Sequence, residues 1–161
     1  MLDVYKTSNK LKGFTLIEIL VVLGLVGLMT LIGTANLREY QRRQLVAAAV
    51  KQFSGDLSYA RQLALTGKKP AGCGVLDGYD VKYVSSTAYS IMGLCDGNVE
   101  KSIGRDSNTL PNSATASSFG QIVFKELGHG TNLTSDLTIT IGGAGGNQTV
   151  LVTVSGTIRN N

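Results

Sequence analysis

Glu18 is the residue of this sequence whose chemistry most needs explaining. It lies five residues past Gly13 in an otherwise apolar run, KGFTLIEILVVLGLVGLMTLIG, from Lys12 to Gly33. Every residue from Ile19 to Leu37 is uncharged, and about 20 such residues make one helical bilayer crossing. A carboxylate in that setting costs roughly a few kcal/mol unless it is neutral, snorkels to the headgroups or finds a partner. Cleavage after Gly13 would create the partner. The new amine of Phe14 would lie one helical turn from Glu18 on the same face, within reach in its own chain or in a neighbour. A secretory signal peptide has its small-residue cleavage site after the apolar region, whereas Gly13 precedes it. Cutting there removes only a polar leader, residues 1–13. The simpler reading of Glu18 is a carboxylate snorkelling near the helix start.

Other reactive residue types are few. Cys73 and Cys95 are the only cysteines, each bordered by strand-like sequence. A disulfide between them is expected in an oxidising compartment, with two free buried thiols as the other reading. His129 is the single histidine and sits in a Gly-His-Gly loop without a nucleophile or acid beside it in sequence, which argues against catalysis. Asp77, Asp80 and Asp96 are candidate Ca²⁺ ligands by type, but their spacing matches no EF-hand loop, and Asp77-Gly78 and Asp96-Gly97 read better as hairpin turns. Glycine-rich Gly142 to Gly146 precedes no helix, so it is not a phosphate loop. The sequence calls for no metal and no cofactor, and the chain reads as a non-enzyme.

These residues need elements to hold them. Phe14 to about Thr66 contains no proline and reads as one continuous helix, with residues 14–36 as the membrane segment and 37–66 as an amphipathic stalk. Leu37, Tyr40, Gln44, Ala48, Phe53, Leu57, Ala60 and Leu63 or Ala64 form the expected packing stripe. Gly24, Gly27, Gly33 and Gly55 weaken the helix locally, so a kink or melting near Gly24 to Gly33 on assembly is conceivable. Gly67 suits a left-handed helix cap. Beyond it the composition turns to strand and turn, giving a β-rich head over residues 67–161. Expected strands are Gly72 to Leu76, Tyr79 to Ser85, Ala88 to Leu94, Val99 to Ile103, Gln121 to Leu127, Leu137 to Ile141 and Thr149 to Ser155. Ser107 to Ser118 reads as a surface loop.

Charge narrows the partners. The 161 residues carry a formal +4, but Lys6, Lys10, Lys12 and Asp3 belong to the leader. Without them 12 basic face 10 acidic side chains, and from Gly67 onward the count is seven against seven. A neutral head lacks the usual footprint for nucleic acid. The leader lysines favour a cytoplasmic N-terminus, although Arg38, Arg42 and Arg43 across the apolar run dilute that signal.

KGFTLIE, residues 12–18, resembles the cleavage and methylation motif of type IV prepilins and type II secretion pseudopilins. The resemblance implies cutting between Gly13 and Phe14 by a prepilin peptidase/methyltransferase and N-methylation of Phe14. Assembly with other pilin or pseudopilin subunits through an inner-membrane platform would follow, with Glu18 meeting a neighbour's N-terminal amine. Before assembly the chain would cross the inner membrane once, in contact with the lipid bilayer, with its C-terminal head outside the cytoplasm.

LSYARQLALTGKKPAGCGV, Leu57 to Val75, is similar to the GspH/FimT minor pseudopilin family, where an Ala-Arg pair on the helix precedes a cysteine-bearing strand; Ala60, Arg61 and Cys73 fill those places. The implied fold is α+β, a long N-terminal helix packed on a small antiparallel β head. The implied role is a minor subunit at or near a filament tip, for pili, secretion or DNA uptake. Some FimT-like members contact DNA through a C-terminal Gly-Arg-x-Arg element. Here Gly156 and Arg159 match but Thr157 replaces the first arginine, which weakens a phosphate-contacting site directly. Arg159 is thus the one candidate DNA contact, and a solvated terminal charge is its simpler reading. The remaining alternative is a plain membrane-anchored β domain.

Overall fold

The computed structural model describes residues 13–161, leaving the side chains of residues 30–36 outside the description. The leader expected over residues 1–13 therefore lies outside the described residues but for Gly13. Among the described residues one α-helix, α1 (Leu16–Thr66), is followed by nine strands, with a single 3-10 turn at Glu126–Gly128. The chain divides between Arg38 and Glu39 into two compact units.

In the first unit α1 is unbroken through Gly24 and Gly27. Its apolar side chains are solvent-exposed, from Phe14 at 78% and Leu16 at 78% to Met29 at 76%. Among the described residues no helix is long and apolar enough to cross a membrane; the expected segment, residues 14–36, includes the undescribed side chains of 30–36.

The second unit begins with the rest of α1 and contains the core. Strands β1 (Leu76–Ser85), β2 (Ala88–Cys95), β3 (Val99–Lys101), β4 (Ser107–Thr109) and β6 (Ile122–Lys125) form one antiparallel sheet in the order β3-β2-β1-β6, with β4 also on β2. Strands β5 (Thr115–Ala116), β7 (Leu137–Gly143), β8 (Gly146–Val152) and β9 (Ile158–Asn160) form a second, in that order. The buried helix face carries Val46, Ala49, Val50, Phe53, Leu57, Ala60, Leu63 and Ala64, and from Ala49 onward these form one core with Tyr79, Val81, Ile91 and Ile122 of the first sheet and Ile139, Ile141, Val150 and Val152 of the second. Phe53 is the hub: its ring meets Tyr89 edge-on at 4.9 Å and Phe119 at 5.7 Å, geometries that suit the quadrupoles of aromatic rings.

The packing stripe differs from expectation toward its N-terminal end. Leu37 and Tyr40 are 54% and 61% exposed, and Gln44 and Ala48 are exposed too. Stepping back from Phe53 by three, four and seven residues reaches Val50, Ala49 and Val46, which are the buried ones. A five-residue step from Ala48 to Phe53 leaves the helix face.

Several β expectations also shift. Gly72 to Val75 is loop, and β1 starts at Leu76. Asp77-Gly78 is no hairpin turn: the register jumps from Leu76↔Cys95 to Gly78↔Leu94, so Asp77 is the extra residue of a bulge. Gly78 is needed because a Cβ there would stand 2.4 Å from the backbone oxygen of Phe124. Asp96-Gly97 does make a turn, between β2 and β3. Ser107 to Ser118 contains β4 and β5, and its polar composition conceals an alternation that buries Asn108, Leu110, Ala114 and Ala116. The strand expected through Leu127 stops at Lys125, because Leu127 has φ 52°. The Gly142 to Gly146 turn shrinks to Ala144-Gly145, extending β7 and β8, and Thr153 to Ser155, expected at the end of β8, instead leads into the turn before β9.

α1 ends as its sequence indicates. Gly67 (φ 61°) donates its N–H to the carbonyl of Ala64 and Lys68 to that of Leu63, the two bonds of a Schellman cap. The Tyr79 hydroxyl donates to the Lys68 carbonyl and secures the chain as it leaves the helix.

Candidate functional site

The site starts where the helix starts. Residues 13–15 are non-helical, so the Gly13–Phe14 bond lies outside the hydrogen-bonded turns of α1, and none of the described residues beyond its chain neighbours lies within 4 Å of where a Gly13 Cβ would be. A peptide bond in that state can be drawn extended into a peptidase, whereas one inside a helix must first unwind. Thr15 caps the helix: its hydroxyl oxygen accepts the Glu18 N–H at 3.3 Å, and its carbonyl accepts the N–H groups of Glu18 (3.1 Å) and Ile19 (3.3 Å). Thr15-x-x-Glu18 has the spacing of a capping box. The threonine three residues before the acid carries this role in its spacing. A carboxylate in the first turn also suits the positive end of the helix dipole.

Glu18 does not stand alone on its face. Phe14, Glu18, Ile19, Val22 and Leu23 line one shallow concavity of about 280 Å³, so the residue that would carry a new amine and the acid expected to meet an amine share one side of the helix. All are exposed. Ile17 (68%), Leu20 (58%) and Leu25 (56%) continue an apolar surface around the helix, of the kind that marks association.

The remaining candidates are placed in the second unit. Cys73 and Cys95 are joined by a disulfide, with Cα atoms 5.6 Å apart, which removes the free-thiol alternative. Asp77, Asp80 and Asp96 do not come together as ligands, and among the described residues no group of three or more His, Cys, Asp or Glu side chains could hold a metal ion. Asp96 accepts the N–H groups of Gly74 (3.2 Å) and Val75 (2.8 Å), and Asp77 those of Gly97 (2.8 Å) and Asn98 (3.1 Å). The bonds from Val75 and Gly74 hold the Asp96 carboxyl below the ordinary carboxylate range. Asp80 is buried and accepts from Gln121 at 2.5 Å and pairs with Lys82 at 3.3 Å. Burial pushes its pKa up, opposed by Lys82, and Lys82 also pairs with Glu100.

His129 is exposed and, with Lys82, Glu100, Gln121, Lys125 and Asn132, borders an open depression of about 770 Å³. Gly142 to Gly146 is the tip of the β7–β8 hairpin. A Cβ on Gly145 would stand 2.2 Å from the Arg42 carbonyl oxygen, so Gly145 serves backbone-to-backbone packing on α1. Gly156 (φ 83°) makes the turn from Thr153 to Thr157 that leads into β9. Arg159 stands exposed on that strand opposite Leu151.

Comparison with known proteins agrees with this geometry. A prokaryotic N-terminal methylation motif matches residues 8–34, and the family of type II transport protein GspH matches residues 49–157. Two fimbrial proteins of Pseudomonas aeruginosa are each 30% identical over 94 residues, 57% of this chain and 57% of theirs, so the match spans little more than half their length. The crystal structure of the Pseudomonas aeruginosa type IV minor pilin FimU superposes with a TM-score of 0.53 at 15% identity, covering 71% of this chain and 91% of that one; the likeness is one of fold, a type IV pilin-like helix on an antiparallel β head. These matches are structural subunits and not enzymes. The chain belongs to the GspH family of type II transport proteins and carries the N-terminal methylation motif of pilin-like subunits.

Proposed function

We propose that this chain is a minor filament subunit of a type IV pilus or type II secretion pseudopilus. In this reading prepilin peptidase/methyltransferase cuts between Gly13 and Phe14 and methylates the Phe14 amine. Residues 14–36 hold the subunit in the inner membrane, their uncharged run from Ile19 to Leu37 being the basis for that assignment. The platform then moves it into a filament, where Glu18 pairs with the N-terminal amine of a neighbour.

The observation that carries the reading is the exposed apolar surface surrounding Glu18 on the first unit of α1. Side chains from Phe14 to Met29 stand half or more exposed where they are large and apolar, and apolar area of that extent gains about 25 cal/mol per Å² when covered by lipid or by other helices. A lone carboxylate within such a surface favours whichever neighbour brings a cation. The methylation motif supports the same outcome by putting an amine in reach.

Mass spectrometry of the N-terminus from sheared filaments, and separately from membranes, tests this. A chain beginning at methylated Phe14 in the filament fraction, and lost from that fraction in Glu18→Ala, is the expected result. An intact Met1 confined to membranes would sink the proposal.

A further inference from the structure

The head is neutral as a whole, but its charges are unevenly spread. Of its seven acids, Asp77, Glu100 and Glu126 border the depression of about 770 Å³ on the first sheet, and Asp80 lies beneath two of its lining side chains, Lys82 and Gln121. Of its seven bases only Lys82 and Lys125 border it. With His129 neutral the depression carries a formal charge of −2. Its size falls within the roughly 300–1,000 Å³ of small-ligand sites.

Asp80 is the unusual member. Alternation along β1 puts Asp80 and Lys82 on the face opposite the core residues Tyr79 and Val81, and the register sets Asp80 beside Val123, which borders the depression. The Asp80 side chain is nonetheless fully buried. Its Oδ2 accepts from Gln121 at 2.5 Å and pairs with Lys82 at 3.3 Å, while among the described residues its Oδ1 has no hydrogen-bond partner. A buried carboxylate short of donors is costly to keep, and burial pushes its pKa up. A desolvated acid with a specific charge partner at a cleft is the mark of a binding site.

Charge and lining together define the occupant. The negative charge calls for a cation, but among the described residues no group of acids and His is placed to hold a metal ion. Leu94 and Val123 line the depression beside the acids, a surface that suits methylene groups under a charged head rather than a hydrated ion. We propose that this depression binds an organic cation, an ammonium or guanidinium on an aliphatic stem, with its head between Glu100 and Asp80 and its stem on Leu94 and Val123. Lys82 fills that place from within the chain: its ammonium pairs with both Asp80 and Glu100. Its side chain is 35% exposed and flexible, so an incoming cation displaces it toward solvent and takes over both acids. The site is independent of the filament reading, and the same chemistry is offered by a free polyamine and by a basic side chain of another protein.

Calorimetric titration of the full-length protein in zwitterionic detergent at low salt, with spermidine and with an acetylated Ala-Lys-Ala amide as probes, tests the site. Binding is expected to weaken about tenfold in Glu100→Gln, the effect of losing one charged contact, and to stay at the wild-type value in Asp136→Asn, which removes an acid elsewhere in the head. Asp80→Asn should weaken it likewise; because Asp80 is buried, the partly exposed Glu100 keeps the test independent of folding. Lys82→Gln should bind more tightly than wild type, since the internal competitor is gone, whereas Lys68→Gln, the same change of charge away from the depression, should not. Binding of the peptide as well as spermidine supports the site with a protein side chain as the source, and binding of spermidine alone supports it with a free polyamine. No binding of either probe overturns the site, and so do equal losses in Glu100→Gln and Asp136→Asn, which leave only diffuse acidity.

Discussion

Asp77 and Asp96 each cap the loop that carries the other: Asp96 accepts N–H groups from Gly74 and Val75 just before Asp77, and Asp77 accepts those of Gly97 and Asn98 just after Asp96. The Cys73–Cys95 disulfide closes the same corner. Because backbone donors hold the Asp96 pKa below its ordinary 3.8, the folded state binds that proton less readily than the unfolded one. Its contribution is present above about pH 4 and lost as pH falls through the depressed folded value. Asp96→Asn should flatten the fall in melting temperature below about pH 4; an unchanged acid profile would count against the clasp.

The disulfide adds to the same corner through the unfolded chain. Closing a loop with a sequence separation of 22 stabilises by about 3 kcal/mol on the chain-entropy account. A Cys73→Ser, Cys95→Ser double variant should lose about that much in urea unfolding, with the loss reproduced by adding reductant to wild type.

Tyr89 donates to the buried carboxylate of Asp56 at 2.5 Å, while Arg105 pairs with its other oxygen at 2.9 Å. Burial first, and then this bond, push the Tyr89 phenol far above its ordinary 10.0. The folded state keeps a proton that the unfolded chain releases, so stability is complete below about pH 10 and declines as pH rises further. Tyr89→Phe should cost about 2 kcal/mol at pH 7, the worth of a hydrogen bond to a charged group, and should reduce the alkaline decline.

Gly145 and Gly143 separate two kinds of close packing. A Cβ at 145 meets the Arg42 backbone at 2.2 Å, but one at 143 meets only the Cγ2 of Val46 at 3.0 Å. Gly145→Ala should therefore destabilise by roughly 1–3 kcal/mol, and Gly143→Ala by clearly less, since a side chain can rotate and a helix backbone cannot. Equal melting temperatures for the two would refute the docking of the hairpin tip.

Thr15→Ala removes the side-chain cap of α1. A loss of about 1 kcal/mol confined to the first turn should appear as faster hydrogen exchange at the Glu18 and Ile19 amides, with the head unaffected.

What the sequence determines by itself is what lies in consecutive residues. KGFTLIE belongs to the N-terminal methylation motif and sets a capping threonine and an acid within one helical turn of each other; Gly67 ends the helix where a left-handed residue is required; two cysteines leave one intramolecular pairing. Each depends on local geometry that short stretches of chain carry with them. The tertiary structure decides what depends on meetings across the chain. Which helix face is buried follows from where Phe53 meets Tyr89 and Phe119, and that placed Val46 and Ala49 inside and Ala48 outside. Asp77 is a bulge because β6 crowds Gly78, and Ser107 to Ser118 forms strands because β2 and β7 have edges to offer. Gly145 answers to the backbone of Arg42, and among the described residues no acid comes within 4.0 Å of Arg61. Hydrogen bonds and steric contacts act over a few ångströms in space, so residues far apart in the chain reveal their roles only once folding has brought them together.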